Sequence, residues 1–276
     1  VEGMQIILVT RPIFSPAPRE FEQLRRDDDV AWIRPAALSK SDTHTLAQVS
    51  LGVPAVADEI VDFVHMRAAG NPFFTEELCY ALRDTGLIVV SDGICRINQN
   101  EDVDLSRLMP DSVQGTVASR IDQLPPQLQL TIKVASVIGQ TFPVNILKDI
   151  YPVQDDRPNL PEFLEGLENL GLTVDVDSEN DPAFRFKHAI TQNVAYDLLP
   201  FAQRRELHQV VAEWLEINRL DDLSPHSPAL AYHWSETDAT EKAIEYLDKS
   251  GEQALDNDAN REAIQFLNRA SDFDQS

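Results

Sequence analysis

A nine-residue stretch at positions 70–78, Gly-Asn-Pro-Phe-Phe-Thr-Glu-Glu-Leu, constrains the fold of this chain most strongly. Asn71 is a favourable N-cap for a helix, and Pro72 suits the first helical position because its missing N–H would have no intrahelical partner there. Apolar residues follow at helical spacing, at Phe74, Leu78, Ala81 and Leu82. Gly86 stands where a left-handed C-cap is expected. The stretch therefore predicts a well-capped helix with one buried face.

The length and composition are those of a soluble globular protein with about two domains. The chain has 276 residues, of which 43% are hydrophobic and 25% are charged. It contains neither an apolar run long enough to span a membrane nor a secretory signal, so we expect a cytoplasmic protein. Cys79 and Cys95 show no metal-binding or redox spacing, which favours reduced buried thiols and leaves a disulfide open.

The strongly acidic balance limits the partners of this chain. It has 23 Lys and Arg residues against 46 Asp and Glu residues, a net charge of −23. Such a surface repels the phosphate backbone of nucleic acids and the anionic headgroups of membranes. We therefore expect neither nucleic acid nor membrane as a direct partner.

The N-terminal region predicts part of an α/β core. Residues 4–10, Met-Gln-Ile-Ile-Leu-Val-Thr, form an apolar run that ends at Arg11 and Pro12. Such a run is typical of a parallel strand buried on both faces. A parallel strand needs partners, and no other segment alternates strand with helix, so the partner strands are expected upstream of Val1. Residues 13–37 are predicted to be a connecting loop around a short strand at 30–33.

From residue 39 the pattern is mainly helical. One predicted helical face carries Val56, Ile60, Phe63 and Val64. Residues 87–90 and 94–97 flank an Asp-Gly turn and predict a hairpin. Asp111, with a glutamine three positions on, resembles a capping box that opens another helix. Further apolar faces predict helices at 128–138 and 160–167, with Gly171 as the C-cap of the second helix.

Two strands follow these helices, and together they predict a winged-helix unit over about residues 110–187. Apolar residues alternate at Leu172, Val174 and Val176 and again at Phe184 and Phe186. Winged helices often bind DNA, but a fold does not fix a function and the charge here opposes DNA. We therefore predict a structural winged helix.

The C-terminal part predicts stacked helical hairpins similar to tetratricopeptide (TPR) repeats. Ala-Ile-Glu-Tyr-Leu at 243–247 recurs as Ala-Ile-Gln-Phe-Leu at 263–267. Small and large apolar residues on successive helices suit the start of a solenoid. The predicted fold is mainly α in four parts: a remnant of an α/β core (1–37), a helical lid with a hairpin (38–108), a winged-helix domain (109–198) and TPR-like repeats (199–276).

No catalytic or metal-binding set stands out in the sequence. There is no Gly-Lys dipeptide and hence no phosphate-binding P-loop. Residues 256–260 resemble the start of a calcium loop, but Arg261 and Leu267 stand where such a loop requires glycine and glutamate, which favours a solvated helix start. His226 and His233 lie seven apart without a third ligand, so we expect interface or surface histidines.

His188 is the most informative histidine because it follows the second wing strand and opens the next predicted helix. A ring at this junction can offer an N–H to an anion beside the positive end of the helix. A capping or core-edge histidine is the other interpretation, and the residues alone leave both open.

Several motifs in one order resemble the signal-transduction ATPases with numerous domains, the STAND class. They are Thr-Arg-Pro at 10–12, the stretch at 70–78, Met-Pro-Asp-Ser-Val at 109–113, Val-Ile-Gly-Gln-Thr-Phe at 137–142 and Phe-Arg-Phe-Lys-His-Ala-Ile at 184–190. The pattern is similar to the AAA-type module attached to class III adenylate cyclases and to large bacterial transcription regulators. The resemblance covers nearly the whole chain.

The resemblance implies a nucleotide site and assigns residues to it. Thr10 and Arg11 match the sensor near the γ-phosphate, and Pro72 matches the lid motif, opened by Gly70, that packs against the base. His188 matches the histidine of the Met-His-Asp motif that touches the ADP β-phosphate, although Lys187 and Ala189 replace its neighbours. ADP would tie the winged helix to the core, and ATP would release it. The P-loop and the Mg²⁺ carboxylates would lie before Val1.

Three functions follow as hypotheses. The first is the C-terminal part of an ATP/ADP-switched regulator of an output domain, whose repeats sense a protein partner or small ligand. The second is a nucleotide-free helical scaffold, and the third is a DNA-binding regulator, which the charge opposes. This part of the protein is expected to bind ATP weakly or not at all and not to be an enzyme alone, because the Lys and Mg²⁺ contacts hold the phosphates.

Overall fold

The first 37 residues form a unit separate from residues 38–276 in the computed structural model. The structure describes residues 6–10, 13, 17–98, 109–176, 182–218 and 223–274. In the first unit, helix α1 (Arg19–Leu24) precedes an irregular segment in which Trp32 meets Phe21 edge-on, with ring centroids 5.5 Å apart. The prediction of a loop over 13–37 therefore missed this helix.

Both strands predicted in the first unit are wrong for the part of them that the structure describes. Residues 6–10 and 30–33 have no strand structure. Ile7 and Val9 are 78% and 92% exposed, whereas a parallel strand would bury both faces. Residues 6–10 belong to neither of the two sheets in the described part of the chain, and outside a sheet an apolar run does not form a strand. Residues 4, 5, 11 and 12 lie outside the described residues.

The second unit is mainly helical, as predicted, and thirteen α-helices occur over the whole described part of the chain. Its helices are α2 (Lys40–Leu51), α3 (Asp58–Ala68), α4 (Pro72–Asp84), α5 (Val113–Asp122), α6 (Pro126–Ile138), α7 (Val144–Ile150), α8 (Leu160–Asn169), α9 (Ala189–Asp197), α10 (Phe201–Asn218), α11 (Ser227–Ser235), α12 (Thr240–Asp256) and α13 (Asn260–Asp274). Its strands are β1 (Ala55–Val56), β2 (Ile88–Ser91), β3 (Ile94–Ile97), β4 (Thr141–Pro143), β5 (Thr173–Val176) and β6 (Ala183–Phe186).

Helix α4 has the ends that its sequence predicts. The Asn71 side chain accepts a hydrogen bond of 3.2 Å from the Phe74 N–H, and Pro72 is the first helical residue. After the helix, Gly86 adopts a positive φ of 71°. The Gly86 N–H donates to Arg83 and the Leu87 N–H to Leu82, the pair of hydrogen bonds of a Schellman motif. The predicted C-cap is therefore confirmed.

Replacing Asn71 with alanine is expected to lower the free energy of unfolding by about 1 kcal/mol, because the Phe74 N–H loses its acceptor. Asn71→Gly is the matched control. Glycine suits the N-cap backbone, so it is expected to cost only a few tenths of a kcal/mol. Chemical denaturation followed by circular dichroism measures both. Equal losses in the two variants would show that the side-chain cap does not stabilise α4.

The first sheet has the order β1-β3-β2. Its β2–β3 hairpin is confirmed, with Asp92 and Gly93 at φ 55° and 75° in the two-residue turn. Strand β1 pairs in parallel with β3, which the sequence did not predict. Val56 lies in β1 and not in α3, so the predicted helical face began two residues too early. The sheet, α2, α3 and α4 enclose one hydrophobic core, where Cys79 and Cys95 are buried and free, as favoured above.

A second sheet, with the antiparallel order β4-β6-β5, lies among α5–α9. Strand β6 takes the centre, and β4 was not predicted. The N-cap of α5 is Ser112, whose Oγ accepts from the Gly115 N–H at 3.1 Å. The predicted cap, Asp111, is wrong by one position, and its carboxylate pairs with Arg67 at 2.5 Å. The predicted C-cap glycine, Gly171, is confirmed, with φ 72°.

The second sheet and α5–α9 enclose a second hydrophobic core, and the C-terminal helices α10–α13 continue it. Helices α12 and α13 pack closely because small residues line their contact. A Cβ added to Gly251 would lie 2.8 Å from the Leu267 side chain. Asp258 takes a positive φ of 59° in the turn before α13. His233 is only 3% exposed, so the predicted surface or interface position is wrong and this histidine belongs to the core. None of the helices within the described ranges is both long and apolar enough to cross a membrane.

Candidate functional site

The start of α4 and the junction between β6 and α9 face each other. His188 takes the N-cap position of α9, and its ring centroid lies 4.1 Å from that of Phe73 at an interplanar angle of 49°. Phe73 directly follows Pro72 at the start of α4. Two residues singled out in the sequence, Pro72 and His188, thus belong to elements in direct contact. Gly70, with φ 73°, accepts a hydrogen bond from the Leu38 N–H at 2.8 Å and so fixes the entry to α4.

Glu76, one turn into α4, is the charged partner of this junction. Its Oε2 lies 3.3 Å from Lys187 Nζ and 3.3 Å from His188 Nε2. The imidazole contact has the distance of an ion pair without the alignment of a hydrogen bond. The contact with His188 lowers the pKa of Glu76; burial opposes this, and Lys187 reinforces it. The carboxylate therefore stays ionised beside the Lys187 ammonium group and the His188 ring.

Lys187 is held by α4 through a second contact. Its Nζ lies 3.2 Å from the Tyr80 hydroxyl. Burial acts to lower the pKa of Lys187, but the Tyr80 hydroxyl and Glu76 together raise it above its ordinary value. The side chains of Lys187, His188 and Glu76 are 28%, 29% and 21% exposed, but the Nε2 atom of His188 is itself buried beside the carboxylate.

A second charged cluster lies further along α4 and is buried. Arg120 of α5 donates from Nη1 to Glu77 at 2.7 Å, from Nε to Asp84 at 3.1 Å and from Nη2 to the Leu170 carbonyl at 2.7 Å. The side chains of Arg120 and Glu77 are only 2% and 1% exposed. All three donating groups of the guanidinium have acceptors, which is the condition for a buried charge to be tolerated.

Tyr80 lies between the two clusters. The Arg120 guanidinium carbon is 4.9 Å from its ring centroid, and Lys187 Nζ is 5.2 Å away. The aromatic face stabilises both cations. A Cβ on Gly171 would lie 3.5 Å from the ring, so the turn after α8 also packs on Tyr80. Helix α4 thus joins the first core to the second through one continuous polar and aromatic contact.

Residues 39–96 match a domain of unknown function (DUF8739). This match includes α2, α3, α4, β1, β2 and all of β3 except Ile97. Over 226 residues the chain is 24% identical to an uncharacterized protein of Rhizobium meliloti (strain 1021). That alignment covers 79% of this chain and 20% of the relative, so the chain spans about a fifth of the relative's length. No solved structure matches the chain.

Two further residues were assigned to the nucleotide site from the sequence, Thr10 and Arg11. Thr10 belongs to the first unit and is exposed, and Arg11 lies outside the described residues. No cluster of three or more His, Cys, Asp or Glu side chains suited to a metal ion occurs in the described ranges.

Sequence reasoning missed the partners Glu76, Glu77, Lys187 and Arg120. One signal was available for Glu77, which follows Phe74 by three positions and so falls on the apolar face of α4. A carboxylate on a buried face requires a cation, although the pattern does not say which one.

Proposed function

We propose that this chain is the lid, winged-helix and repeat-bearing part of a cytoplasmic regulatory ATPase of the STAND class, switched by ADP and ATP. The observation that carries the proposal is the contact between the start of α4 and His188. A ligand held at this junction would be touched by two elements from different hydrophobic cores. Its binding would therefore favour one arrangement of those cores over another.

Two side chains at this junction favour the binding of a phosphate, and one opposes it. Lys187 and His188 supply two nitrogen donors at a partly exposed position, and such donors bind oxyanions. Glu76 Oε2 lies 3.3 Å from both of these nitrogens in this structure, so a phosphate would have to take the place of that carboxylate. Gly70 and Pro72 would lie against the base. Thr10 and Arg11 would lie near the γ-phosphate, and Mg²⁺ would be held by residues upstream.

The architecture supports the parts that the proposal names. A three-stranded antiparallel sheet beside α5, α6 and α8 is the layout expected of a winged helix. Closely packed antiparallel helices with small residues at their contact are expected of TPR-like repeats. A groove between α10 and the start of α12 holds two adjoining cavities of about 450 and 540 Å³. It offers a place for a protein partner or small ligand, whose binding would control an output domain such as a class III adenylate cyclase.

The proposal is tested by ADP binding to the full-length protein. His188→Ala is expected to weaken ADP binding about 10-fold or more, because a hydrogen bond to a charged group contributes about 1.5–3 kcal/mol. Isothermal titration calorimetry measures the affinity. His226→Ala, a half-buried histidine in the C-terminal region, is the control and should bind as the wild type does. Equal affinities in wild type and His188→Ala would contradict the proposed role of His188.

A nucleotide-free scaffold is the second candidate, and one observation favours it. Glu76 already pairs with Lys187 and lies against His188, so α4 and the β6–α9 junction are joined without a ligand. On this alternative the full-length protein binds no nucleotide, and the same titration distinguishes the two.

A further inference from the structure

The Glu76 carboxylate occupies the place that an anionic ligand would need. One oxygen, Oε2, lies 3.3 Å from both Lys187 Nζ and His188 Nε2. We propose that Glu76 is a built-in competitor for a phosphate group of a nucleoside diphosphate, and that binding of the phosphate displaces it from Lys187 and His188. The proposal rests on the proposed function and adds a regulatory residue to that site.

The difference between the two charged clusters on α4 supports an exchange at this position. Glu77 is 1% exposed and fixed by Arg120, so it cannot be replaced by a ligand from solvent. Glu76 is 21% exposed, and the side chains of Lys187 and His188 are more exposed still, while His188 Nε2 is buried next to the carboxylate and would be uncovered when Glu76 leaves. Its side chain can rotate towards water while α4 stays anchored through Glu77 and Asp84. Exchange at Glu76 therefore needs no unfolding of the helix.

The Glu76 carboxylate and a phosphate group cannot both contact Lys187 and His188, because both are negatively charged. A phosphate oxygen and a carboxylate oxygen that shared these two partners would lie within about 4 Å of each other, a distance at which like charges repel strongly at a protein surface. A terminal phosphate carries up to two negative charges and three acceptor oxygens, so it satisfies Lys187 and His188 at least as well as a carboxylate. Lys187 keeps its contact with Tyr80 in either state.

The exchange would also change what holds α4 to the β6–α9 junction. Without a ligand, the protein's own carboxylate bridges the two elements. With a ligand, that bridge is replaced by the ligand, and the buried Arg120 cluster remains as the fixed contact. The affinity for the anion is then lowered by the cost of displacing Glu76, which sets the ligand concentration at which the junction responds.

Glu76→Gln in the full-length protein tests the proposal. It removes the charge and keeps the size of the side chain, so ADP affinity measured by calorimetry is expected to tighten about 10-fold. Glu245→Gln is the matched control. It removes one carboxylate that pairs with Lys249 on the surface of α12 and should leave the affinity unchanged. Unchanged or weaker binding in Glu76→Gln would overturn the proposal and show that Glu76 only orients the imidazole.

A second titration separates this proposal from the proposed function. Inorganic pyrophosphate is added to the present chain, and the His188 ring signals are followed by NMR spectroscopy. Glu76→Gln is expected to reach half-saturation at about a tenth of the wild-type pyrophosphate concentration. If pyrophosphate moves the His188 signals equally in both proteins, the competitor role fails. If ADP does not bind the full-length protein but the pyrophosphate shift is found, the nucleotide function fails and the anion exchange stands. No shift in either protein overturns the exchange.

Discussion

Replacing Arg120 with methionine is expected to lower the free energy of unfolding by about 3–5 kcal/mol, the typical cost of removing one partner from a buried ion pair. The substitution would leave the Glu77 carboxylate, 1% exposed, without its cation, and Asp84 would lose a 3.1 Å contact. The Leu170 carbonyl would lose its donor as well. Methionine fills much of the volume of arginine. The loss of stability would therefore come from the unpaired carboxylates of Glu77 and Asp84 more than from a cavity.

Denaturant unfolding followed by tryptophan fluorescence measures this loss, and the chain offers a matched control. Arg205 pairs with Asp238, but the two side chains are 40% and 80% exposed. Arg205→Met is therefore expected to cost about 0–1 kcal/mol. Combining Arg120→Met with Glu77→Gln should recover part of the loss, because the buried negative charge is removed too. Equal losses in Arg120→Met and Arg205→Met would show that water screens the Arg120 cluster.

The Arg120 cluster also explains how α4 holds the two hydrophobic cores of the second unit in a fixed arrangement. Glu77 and Asp84 lie on a helix of the first core, whereas Arg120 and Leu170 belong to segments of the second core. Three directional hydrogen bonds to one planar guanidinium fix an angle as well as a distance. Glu76, nearer the start of the same helix, adds a weaker and more exposed contact. The Arg120 contacts therefore hold the two cores together more firmly than the Glu76 contact does.

Local chemistry explains why the ends of α4 were predictable from sequence. Asn71, Pro72 and Gly86 act through backbone groups within four residues, so their effect does not depend on the rest of the fold. The β2–β3 turn is predictable for the same reason, since Asp92 and Gly93 both tolerate a positive φ. Burial of one face of α4 followed from the spacing of its apolar residues.

Contacts between distant segments explain the errors. Strand β1 forms only because β3, about 40 positions later, offers it a parallel edge. Ser112 and not Asp111 is the N-cap of α5, and the Asp111 carboxylate pairs with Arg67, 44 positions earlier on another helix. Residues 6–10 have the composition of a buried strand, yet a strand also requires a ladder that composition does not supply.

The candidate site was predictable only in part for the same reason. His188 stood out because it lies where a strand ends and a helix begins, which is a local feature. Arg120 and Glu77 lie 43 positions apart, and neither predicts the other. Glu76 and Lys187 lie 111 positions apart, and both belong to segments rich in charge. Pairing at that distance follows from how the cores pack and not from spacing along the chain.

His233 does not stand out in the sequence, but the fold places it in an unusual buried pair with His208. Its Nδ1 lies 2.8 Å from Nδ1 of His208, whose Nε2 is 3.0 Å from the Tyr196 hydroxyl. Only one proton can lie between the two Nδ1 atoms, so one imidazole donates and the other accepts. Burial lowers the pKa of His208 to about 4 and that of His233 to about 3, and Arg204 adds to the effect on His208.

Acidification from pH 6.5 to pH 4 is expected to destabilise the folded protein through this pair. The unfolded chain protonates both imidazoles below about pH 6.5, whereas the folded chain keeps them neutral, so stability is fully present above that pH and falls as protons are added. Over this range each histidine contributes a loss of about 3 kcal/mol. The lowered pKa of Glu76 adds a loss in the same direction at the acidic end. Denaturation at successive pH values measures the free energy of unfolding. Its change with pH gives the slope with which stability falls.

Two double variants isolate the contribution of the pair. His208→Gln with His233→Gln keeps amide groups that can hydrogen-bond to each other but cannot be protonated, so its stability is expected to fall much less between pH 6.5 and pH 4. His44→Gln with His226→Gln removes two half-buried histidines and should keep the wild-type slope. Because α10 carries His208 and α11 carries His233, the acid loss should begin at the contact between these helices. If the variant lacking the pair keeps the full pH dependence, the acid sensitivity arises from carboxylates, and the buried imidazoles do not control it.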